Sequence, residues 1–170
     1  MENVMVDLET LGTGNNAVII SIGAVEFDVS TGELGREFYG NIDPQSCVNA
    51  GLEIDASTVM WWMQQSDAAR AAFKSHTNSL ITSLQSFSLW YPEGAALWGN
   101  GATFDNVLLS NAYRKTNLTQ PWKYTHDRCY RTLKSLRRDV KQASFGTAHN
   151  ALDDAKYQAL HAIKILKDIA

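Results

Sequence analysis

The sequence contains only two cysteines, Cys47 and Cys129, and neither belongs to a CxxC motif. Free thiols in a reducing compartment are therefore expected. No apolar run approaches the roughly 20 residues that a membrane helix needs. The first residues also lack the basic segment and apolar stretch of a secretory signal. These absences predict a cytoplasmic location and exclude a membrane partner.

Proline is scarce as well, with three residues in 170, and the chain has no low-complexity run and no internal repeat. The length suits one domain with one hydrophobic core, and 45% hydrophobic with 19% charged residues is typical of a globular protein. We therefore interpret residues 1–170 as a single domain.

Basic side chains are rare before residue 114. Residues 1–113 contain thirteen acidic and three basic side chains, whereas residues 114–141 contain nine basic and two acidic ones. The net charge of −3 argues weakly against a nucleic-acid partner, but this distribution would attract a polyanion to one side of the molecule and cations to another. A solvated helix face explains the basic stretch equally well.

Hydrophobic patterning predicts strands first and helices later. The predicted strands cover residues 4–9, 18–27 and 36–42, and a fourth short strand covers residues 95–98. The predicted helices begin near Asp55 or Ser57 and then cover residues 80–91, 103–115, 128–138 and 151–169. This order predicts an α/β fold in which a mixed central sheet, an antiparallel meander plus parallel strands, is flanked by α-helices.

Two acidic residues lie at the end of the first strand. Asp7 and Glu9 are two positions apart, so in regular β-structure both side chains point to the same face. Adjacent carboxylates repel each other unless a cation lies between them, and hard oxygen ligands suit Mg²⁺ or Mn²⁺. The ordinary alternative is that one acid caps the following turn while the other is solvated.

A third carboxylate, Asp105, follows Gly99 and Gly101 at the predicted junction between a strand and a helix. The glycines allow the backbone to approach a neighbour closely, and the helix dipole favours an anion in the first turn. An ordinary acid at a helix N-terminus is the alternative interpretation.

The last helix has a recognisable beginning. Asn150 and Asp153 have the spacing of a capping box, which starts the helix at residue 151. His149 then belongs to the preceding loop, and Asp154 projects from the first turn. This spacing separates a mobile base from a rigid ligand, and it assigns Asp153 to capping rather than to metal binding.

These positions occur in an order that resembles the DnaQ-like 3′-5′ exonuclease superfamily, specifically its DEDDh branch. The matching segments are residues 6–10 (Val-Asp-Leu-Glu-Thr), 21–25 (Ser-Ile-Gly-Ala-Val), 100–105 (Asn-Gly-Ala-Thr-Phe-Asp) and 149–155 (His-Asn-Ala-Leu-Asp-Asp-Ala). The similarity extends over nearly the whole chain. Residues 98–101 and the Trp61-Trp62 pair further resemble a subgroup of small phage DexA-type exonucleases and bacterial exoribonucleases.

The resemblance implies a ribonuclease H-like fold and a metal-dependent 3′-5′ exonuclease. It implies that four carboxylates hold two divalent ions, Mg²⁺ or Mn²⁺, at the 3′ end of a nucleic-acid strand, and that His149 acts as the general base. The four are Asp7, Glu9, Asp105 and Asp154. Histidine suits proton transfer near neutral pH, and the products would be 5′-mononucleotides.

Substrate contacts follow from the same resemblance. Thr10 and Leu11 are expected to hold the terminal nucleotide through backbone groups and an apolar wedge. Trp61 or Trp62 is a candidate for stacking on a base, although either indole also fits a core position. Phe104 is expected in the core or in the pocket wall, and the bases of residues 114–141 are candidates for phosphate contacts.

The resemblance to phage enzymes favours DNA, single-stranded or with a 3′ overhang, in a bacterial or phage-infected cytoplasm. A 3′-5′ exoribonuclease is the alternative. A ribonuclease H-like endonuclease or integrase, and a nucleic-acid-binding module that has lost catalysis, are the remaining interpretations. A homodimer is a candidate oligomeric state, because related small exonucleases often dimerise.

Overall fold

The computed structural model describes residues 1–74 and 77–169. The strands are β1 (Asn3–Thr10), β2 (Ile19–Phe27), β3 (Leu34–Asn41), β4 (Ala96–Gly99) and β5 (Asp127–Cys129). The α-helices are α1 (Pro44–Asn49), α2 (Ala56–Met63), α3 (Leu80–Trp90), α4 (Asp105–Lys115), α5 (Tyr130–Leu136) and α6 (Ala151–Ile169). Short 3₁₀ turns occur at Ala69–Lys74 and Tyr124–His126.

The five strands form one sheet in the order β3-β2-β1-β4-β5, with β1 at its centre. The β1–β2 and β2–β3 pairs are antiparallel and are joined by loops of residues 11–18 and 28–33, whereas β4 and β5 add in parallel after helical crossovers. The mixed sheet with an antiparallel meander is therefore confirmed.

Side chains alternate between two hydrophobic cores along the central strand. Val4, Val6 and Leu8 enter the larger core, which also contains residues of α3 and α4. Met5 points the other way, into a smaller core where it packs with Ala155 and other α6 residues. Helices therefore cover the central strand β1 on both faces of the sheet.

Two predicted boundaries were wrong. The helix predicted near residues 128–138 is preceded by β5, and α5 itself covers only Tyr130–Leu136. β5 has three residues, one of them basic, which is too short a segment for a periodic signal. The helix predicted from Thr103 begins at Asp105, because residues 101–104 form a turn after β4.

The α2 helix begins after Asp55, but the Asp55 side chain makes no capping hydrogen bond. Its backbone N–H instead donates to the Leu11 carbonyl at 2.7 Å and joins the start of α2 to the end of β1. Cys47 and Cys129 are both free thiols. Across residues 1–74 and 77–169, no helix is both long enough and apolar enough to cross a bilayer.

Candidate active site

Asp7 and Glu9 lie on the face of β1 that is covered by α6. The Asp7 side chain accepts a hydrogen bond at 2.7 Å between its Oδ1 and Nε2 of Gln158, which belongs to α6. The Glu9 side chain lies near Asp105 and Asp154 and is only 8% exposed. The period of two along the strand therefore brings both carboxylates toward the residues of α6.

The close approach of α6 depends on Gly23. This residue pairs with Asp7 across the β1–β2 ladder. A Cβ atom at Gly23 would overlap the backbone of Ala151 and Leu152, which form the first turn of α6. A side chain at this position would therefore push α6 away from the carboxylates of β1.

Asp105 reaches the same cluster from the start of α4. A Cβ atom at Gly99 would lie 2.9 Å from Asp105 Cβ, so the glycine leaves room for the helix to begin against β4. The neighbouring Asn106 fixes this junction, because its Nδ2 donates to the Leu97 carbonyl at 3.0 Å and to Asp127 Oδ1 at 2.8 Å. Asp105 is 3% exposed as a result.

The loop before α6 is held by acids of the α6 first turn. Asn150 Oδ1 accepts from the backbone N–H groups of Leu152 and Asp153 at 3.1 Å each, so Asn150 caps the helix as predicted. The reciprocal bond of a capping box goes elsewhere. Asp153 Oδ2 accepts from the N–H of Thr147 at 2.8 Å, and the N–H of Asn150 donates to the Thr147 carbonyl.

His149 is fixed by its backbone and by its ring. Its N–H donates to Asp154 Oδ2 at 3.1 Å, and its φ of 63° is in the left-handed region that residues other than glycine rarely adopt. The imidazole meets the Trp61 ring edge-on, with 5.0 Å between centroids, and lies 6.1 Å from the Trp62 ring. The loop histidine expected from the sequence is therefore held in a defined position.

Burial raises the pKa of all four carboxyl groups, and neighbouring negative charges raise those of Asp7 and Glu9 further. Burial raises the pKa of Asp7 well above its ordinary value, and the charges of Asp105 and Glu9 raise it further. Burial, with the charges of Asp154 and Asp105, raises the pKa of Glu9 to about 8. Burial raises the pKa of Asp105 to about 7, and burial also raises that of Asp154.

The donor set fits a divalent cation. Ligand atoms of Glu9, His149 and Asp154 all lie within 4.8 Å of one another. Two further carboxylates, Asp7 and Asp105, belong to the same cluster, because the charge of Glu9 acts on Asp7 and the charge of Asp105 acts on Glu9. Clustered oxygen ligands of like charge are unfavourable alone and favourable around Mg²⁺ or Mn²⁺.

A cleft of about 410 Å³ opens beside Glu9. Its walls include Thr10, Trp61, Trp62 and Phe104, which were predicted to contact substrate. Trp61 is 41% exposed, whereas Trp62 is 4% exposed and donates its indole N–H to the Thr10 carbonyl at 2.8 Å.

Leu11 lies outside this cleft. Its side chain is 7% exposed and faces a neighbouring groove that contains Val59 and Phe73. Its backbone N–H already donates to the Val18 carbonyl at 2.9 Å.

The sequence analysis did not identify Gln158, and it named Arg131 only as one of the bases that could contact phosphate. Gln158 lies four residues after Asp154, which places both side chains on one face of α6, and this spacing was an available signal. Arg131 donates to the Asn100 carbonyl at 2.6 Å and its charge lowers the pKa of Asp105. Only the tertiary structure brings Arg131 to this site.

The sequence matches the family model described as the 3′-5′ exoribonuclease Rv2179c-like domain over residues 2–166. The chain belongs to this family. It is therefore a 3′-5′ exonuclease, a hydrolase of phosphodiester bonds, and its five-stranded sheet has the ribonuclease H-like arrangement of the DEDDh exonucleases. Enzymes of this kind depend on divalent metal ions.

Solved structures similar to this Rv2179c-like chain are nucleases. The nuclease domain of 3′hExo, a DEDDh family member bound to rAMP, has a TM-score of 0.66 at 17% identity, and the match covers 97% of this chain and 91% of that one. A 3′-exonuclease described with the histone mRNA stem-loop has a TM-score of 0.62 at 18% identity, covering 97% and 81%.

E. coli exonuclease I in complex with a dA16 oligonucleotide has a TM-score of 0.67 at 16% identity. The match covers 97% of this chain and 40% of that protein, so the present chain spans less than half of its length. At these identities the likeness concerns the fold. No curated protein sequence matches the chain.

Proposed function

We propose that this protein removes 5′-mononucleotides one at a time from the 3′ end of single-stranded RNA. The observation that carries the proposal is the convergence of four carboxylates from β1, α4 and α6 beside one histidine, at the mouth of a cleft of nucleotide size. The carboxylates are Asp7, Glu9, Asp105 and Asp154.

The four carboxylates would hold two divalent ions, with Asp7 at the centre of the cluster. Such ions, when bound, stabilise the attacking and leaving oxygens of an in-line phosphoryl displacement. Gln158 orients the Asp7 carboxylate by donating a hydrogen bond to its Oδ1. Asp105 and Asp154 lie in the first turns of α4 and α6, so their carboxylates are held in place before substrate arrives.

His149 would accept the proton of the attacking water. The ring lies within 4.8 Å of carboxylate oxygens of Glu9 and Asp154, where a water held by the metal site could reach it. Asp154 holds the His149 backbone, and Trp61 packs against the ring. These contacts hold the imidazole between the acidic cluster and Trp61, which lines the cleft.

The cleft would take the terminal nucleotide. Trp61 presents a partly exposed aromatic ring on which a base can stack without sequence preference, and Phe104 forms another part of the wall. The buried Trp62 packs edge-on against Trp61, with ring centroids 5.1 Å apart. The buried position of Leu11 requires a local movement before its side chain can act as the expected wedge.

The description of the matched family supports RNA over the DNA expected from the phage-like sequence features. A comparison of matched oligonucleotides tests this choice. Single-stranded and double-stranded RNA and DNA of one sequence, labelled at the 5′ end, are incubated with Mg²⁺, with Mn²⁺ and with EDTA. The expected result is a ladder of shortened RNA, release of 5′-mononucleotides, and no reaction in EDTA.

Faster shortening of DNA than of RNA would overturn the choice of sugar and leave the exonuclease in place. Internal cleavage products would instead indicate a ribonuclease H-like endonuclease. Binding without hydrolysis of any of these substrates in Mg²⁺ and Mn²⁺ would indicate a catalytically silent module.

A further inference from the structure

A second groove, of about 490 Å³, lies between α5, residues 137–142 and α6. We call it the basic groove. Its lining includes four cationic side chains, which are Arg131, Lys134, Arg138 and Lys141. The first three follow at spacings of three and four residues, so they lie along one side of α5 and its C-terminal extension.

Two acids lie near the cations of the basic groove, Asp105 beside Arg131 and Asp139 beside Lys141, but neither forms a salt bridge with them in the described part of the chain. Within residues 1–74 and 77–169, none of the four forms a salt bridge, and no carboxylate lines the groove. Arg137 behaves differently, because it pairs with Asp139 and Asp168. Arg137 is thus paired with carboxylates, whereas the four cations that line the groove form no salt bridge within the described residues.

The groove also contains groups that suit a sugar or a base. Gln142 Oε1 is buried and has no hydrogen-bond partner within the described chain, so it can accept from a hydroxyl or amino group. The ring of Tyr157 forms part of the wall. A ligand that offers phosphates, donors and an apolar face satisfies all of these groups, whereas a simple anion does not.

Arg131 connects the basic groove to the active site. It lines the groove, and its Nη2 donates to the Asn100 carbonyl at 2.6 Å in the turn that leads to Asp105. A Cβ atom at Gly101 would lie 3.2 Å from Cζ of Arg131, so the guanidinium packs directly against the turn that precedes Asp105. A strand whose 3′ end lies at the catalytic carboxylates can therefore continue directly into the groove.

We propose that the basic groove binds the sugar-phosphate backbone of the substrate strand on the 5′ side of the terminal nucleotide. This inference rests on the proposed function and adds the route of the strand to it. Lys134 lies one turn of α5 beyond Arg131, and Arg138 lies in the segment that follows the helix, so both would contact a longer substrate more than a very short one. The groove would thereby make hydrolysis depend on strand length.

The test compares two variants with the same change of charge. Lys134→Gln with Arg138→Gln removes two cations from the groove, and both side chains are exposed. Lys164→Gln with Lys167→Gln removes two exposed cations from α6 outside the groove and is the control. Hydrolysis of single-stranded RNA of about 20 nucleotides is compared with hydrolysis of a dinucleotide, and binding of the longer RNA is followed by fluorescence anisotropy in EDTA over a salt series.

The groove variant is expected to lower the ratio of kcat/KM for the long RNA to that for the dinucleotide by about tenfold, through KM. Its slope of log affinity against log salt should be shallower by about 1.4, because two fewer phosphate contacts release counterions. The control should match the unchanged protein in both measurements. Equal effects of the two variants would overturn the proposal, since they would show a dependence on net charge alone.

The outcomes separate this inference from the proposed function. Absence of hydrolysis by the unchanged protein would refute the function, while the anisotropy series would still decide whether the groove binds the strand. If the groove variant hydrolyses RNA with an unaltered ratio of kcat/KM for the long RNA to that for the dinucleotide, the proposed role of the groove is refuted and the proposed function is not. Tighter binding of anionic phospholipid vesicles than of RNA, lost in the groove variant, would also overturn the nucleic-acid assignment.

Discussion

His149 combines a strained backbone with three restraining contacts. Its positive φ is uncommon for a residue with a side chain, and such conformations persist where the surroundings hold them. Asp154 accepts its N–H, and Trp61 and Trp62 surround its ring. The histidine is therefore placed by side chains of two separate elements, α2 and α6, and its chemistry depends on both.

Replacing His149 with alanine tests whether it is a base or a metal ligand. As a base, its loss should lower kcat by about 10²–10⁴-fold while the affinity for Mn²⁺ stays close to that of the unchanged protein. Isothermal titration with Mn²⁺ and single-turnover hydrolysis measure the two quantities. The matched variant is Asp154→Asn, which should weaken Mn²⁺ binding. A loss of Mn²⁺ affinity in His149→Ala equal to that in Asp154→Asn would make His149 a ligand instead.

Trp61 should act as a positioning residue for His149. Trp61→Ala removes the edge-on contact at 5.0 Å and is expected to lower kcat by about 10–100-fold, because small displacements of a catalytic group are costly. Trp61→Tyr keeps an aromatic ring and should recover most of the rate. Stacking on substrate alone would instead raise KM and leave kcat unchanged, and that pattern would contradict the positioning role.

At the scale of elements, the site depends on how closely α6 approaches the sheet. Gly23 leaves room for the first turn of α6, which carries Asp154, and one turn later Gln158 reaches Asp7. The glycine was visible in the sequence as part of the 21–25 segment, but its physical reason was not. A contact between residues 23 and 151 follows from tertiary packing rather than from local pattern.

Gly23→Ala should therefore damage both stability and catalysis. The added methyl group would overlap the backbone of residues 151 and 152, and overpacking of this kind lowers the free energy of unfolding by about 1–3 kcal/mol. Gly14→Ala is the matched control, because a Cβ atom there has no neighbour within 4 Å. Urea denaturation and hydrolysis rates compare the two. Equal stability of both variants would contradict the close approach of α6.

The sequence predicted the elements that have long periodic patterns and missed those defined by partners. β2 was predicted from a long run rich in β-branched residues, and α3 from apolar residues that recur at spacings of three and four. β5 has three residues, and it is a strand only because β4 lies beside it. The cap at Asn150 was local and therefore predictable, whereas the bond from Thr147 to Asp153 depends on how the loop folds back.

The same distinction applies to the site. Asp7 and Glu9 could be related to each other by strand parity alone, since they are two positions apart. Their proximity to Asp105 required the parallel pairing of β1 with β4, which places Gly99 beside Val6. That pairing joins residues over ninety positions apart and has no local signal, so Asp105 was predictable only through the family resemblance.

For the whole molecule, the buried acids oppose stability when no metal is bound. The carboxyl groups of Glu9 and Asp105 have folded-state pKa values of about 8 and about 7, above the ordinary values of 4.5 and 3.8. The folded protein therefore retains protons that the unfolded chain releases. The free energy of unfolding should fall as pH rises from about 4.5 to 8, because protons bound only in the folded state are lost across that interval.

Thermal denaturation in EDTA should show this fall, and Mn²⁺ should reverse it. The metal binds ionised carboxylates, so it must displace fewer protons at high pH, and its increase in Tm should be larger at about pH 8 than at about pH 5.5. Glu9→Gln should raise the Tm in EDTA at about pH 8 by about 3 °C or more and reduce the increase caused by Mn²⁺. The exposed Glu93→Gln is the control and should change neither quantity. A Tm in EDTA that rises between these pH values would contradict the predicted opposition between the acid cluster and the fold.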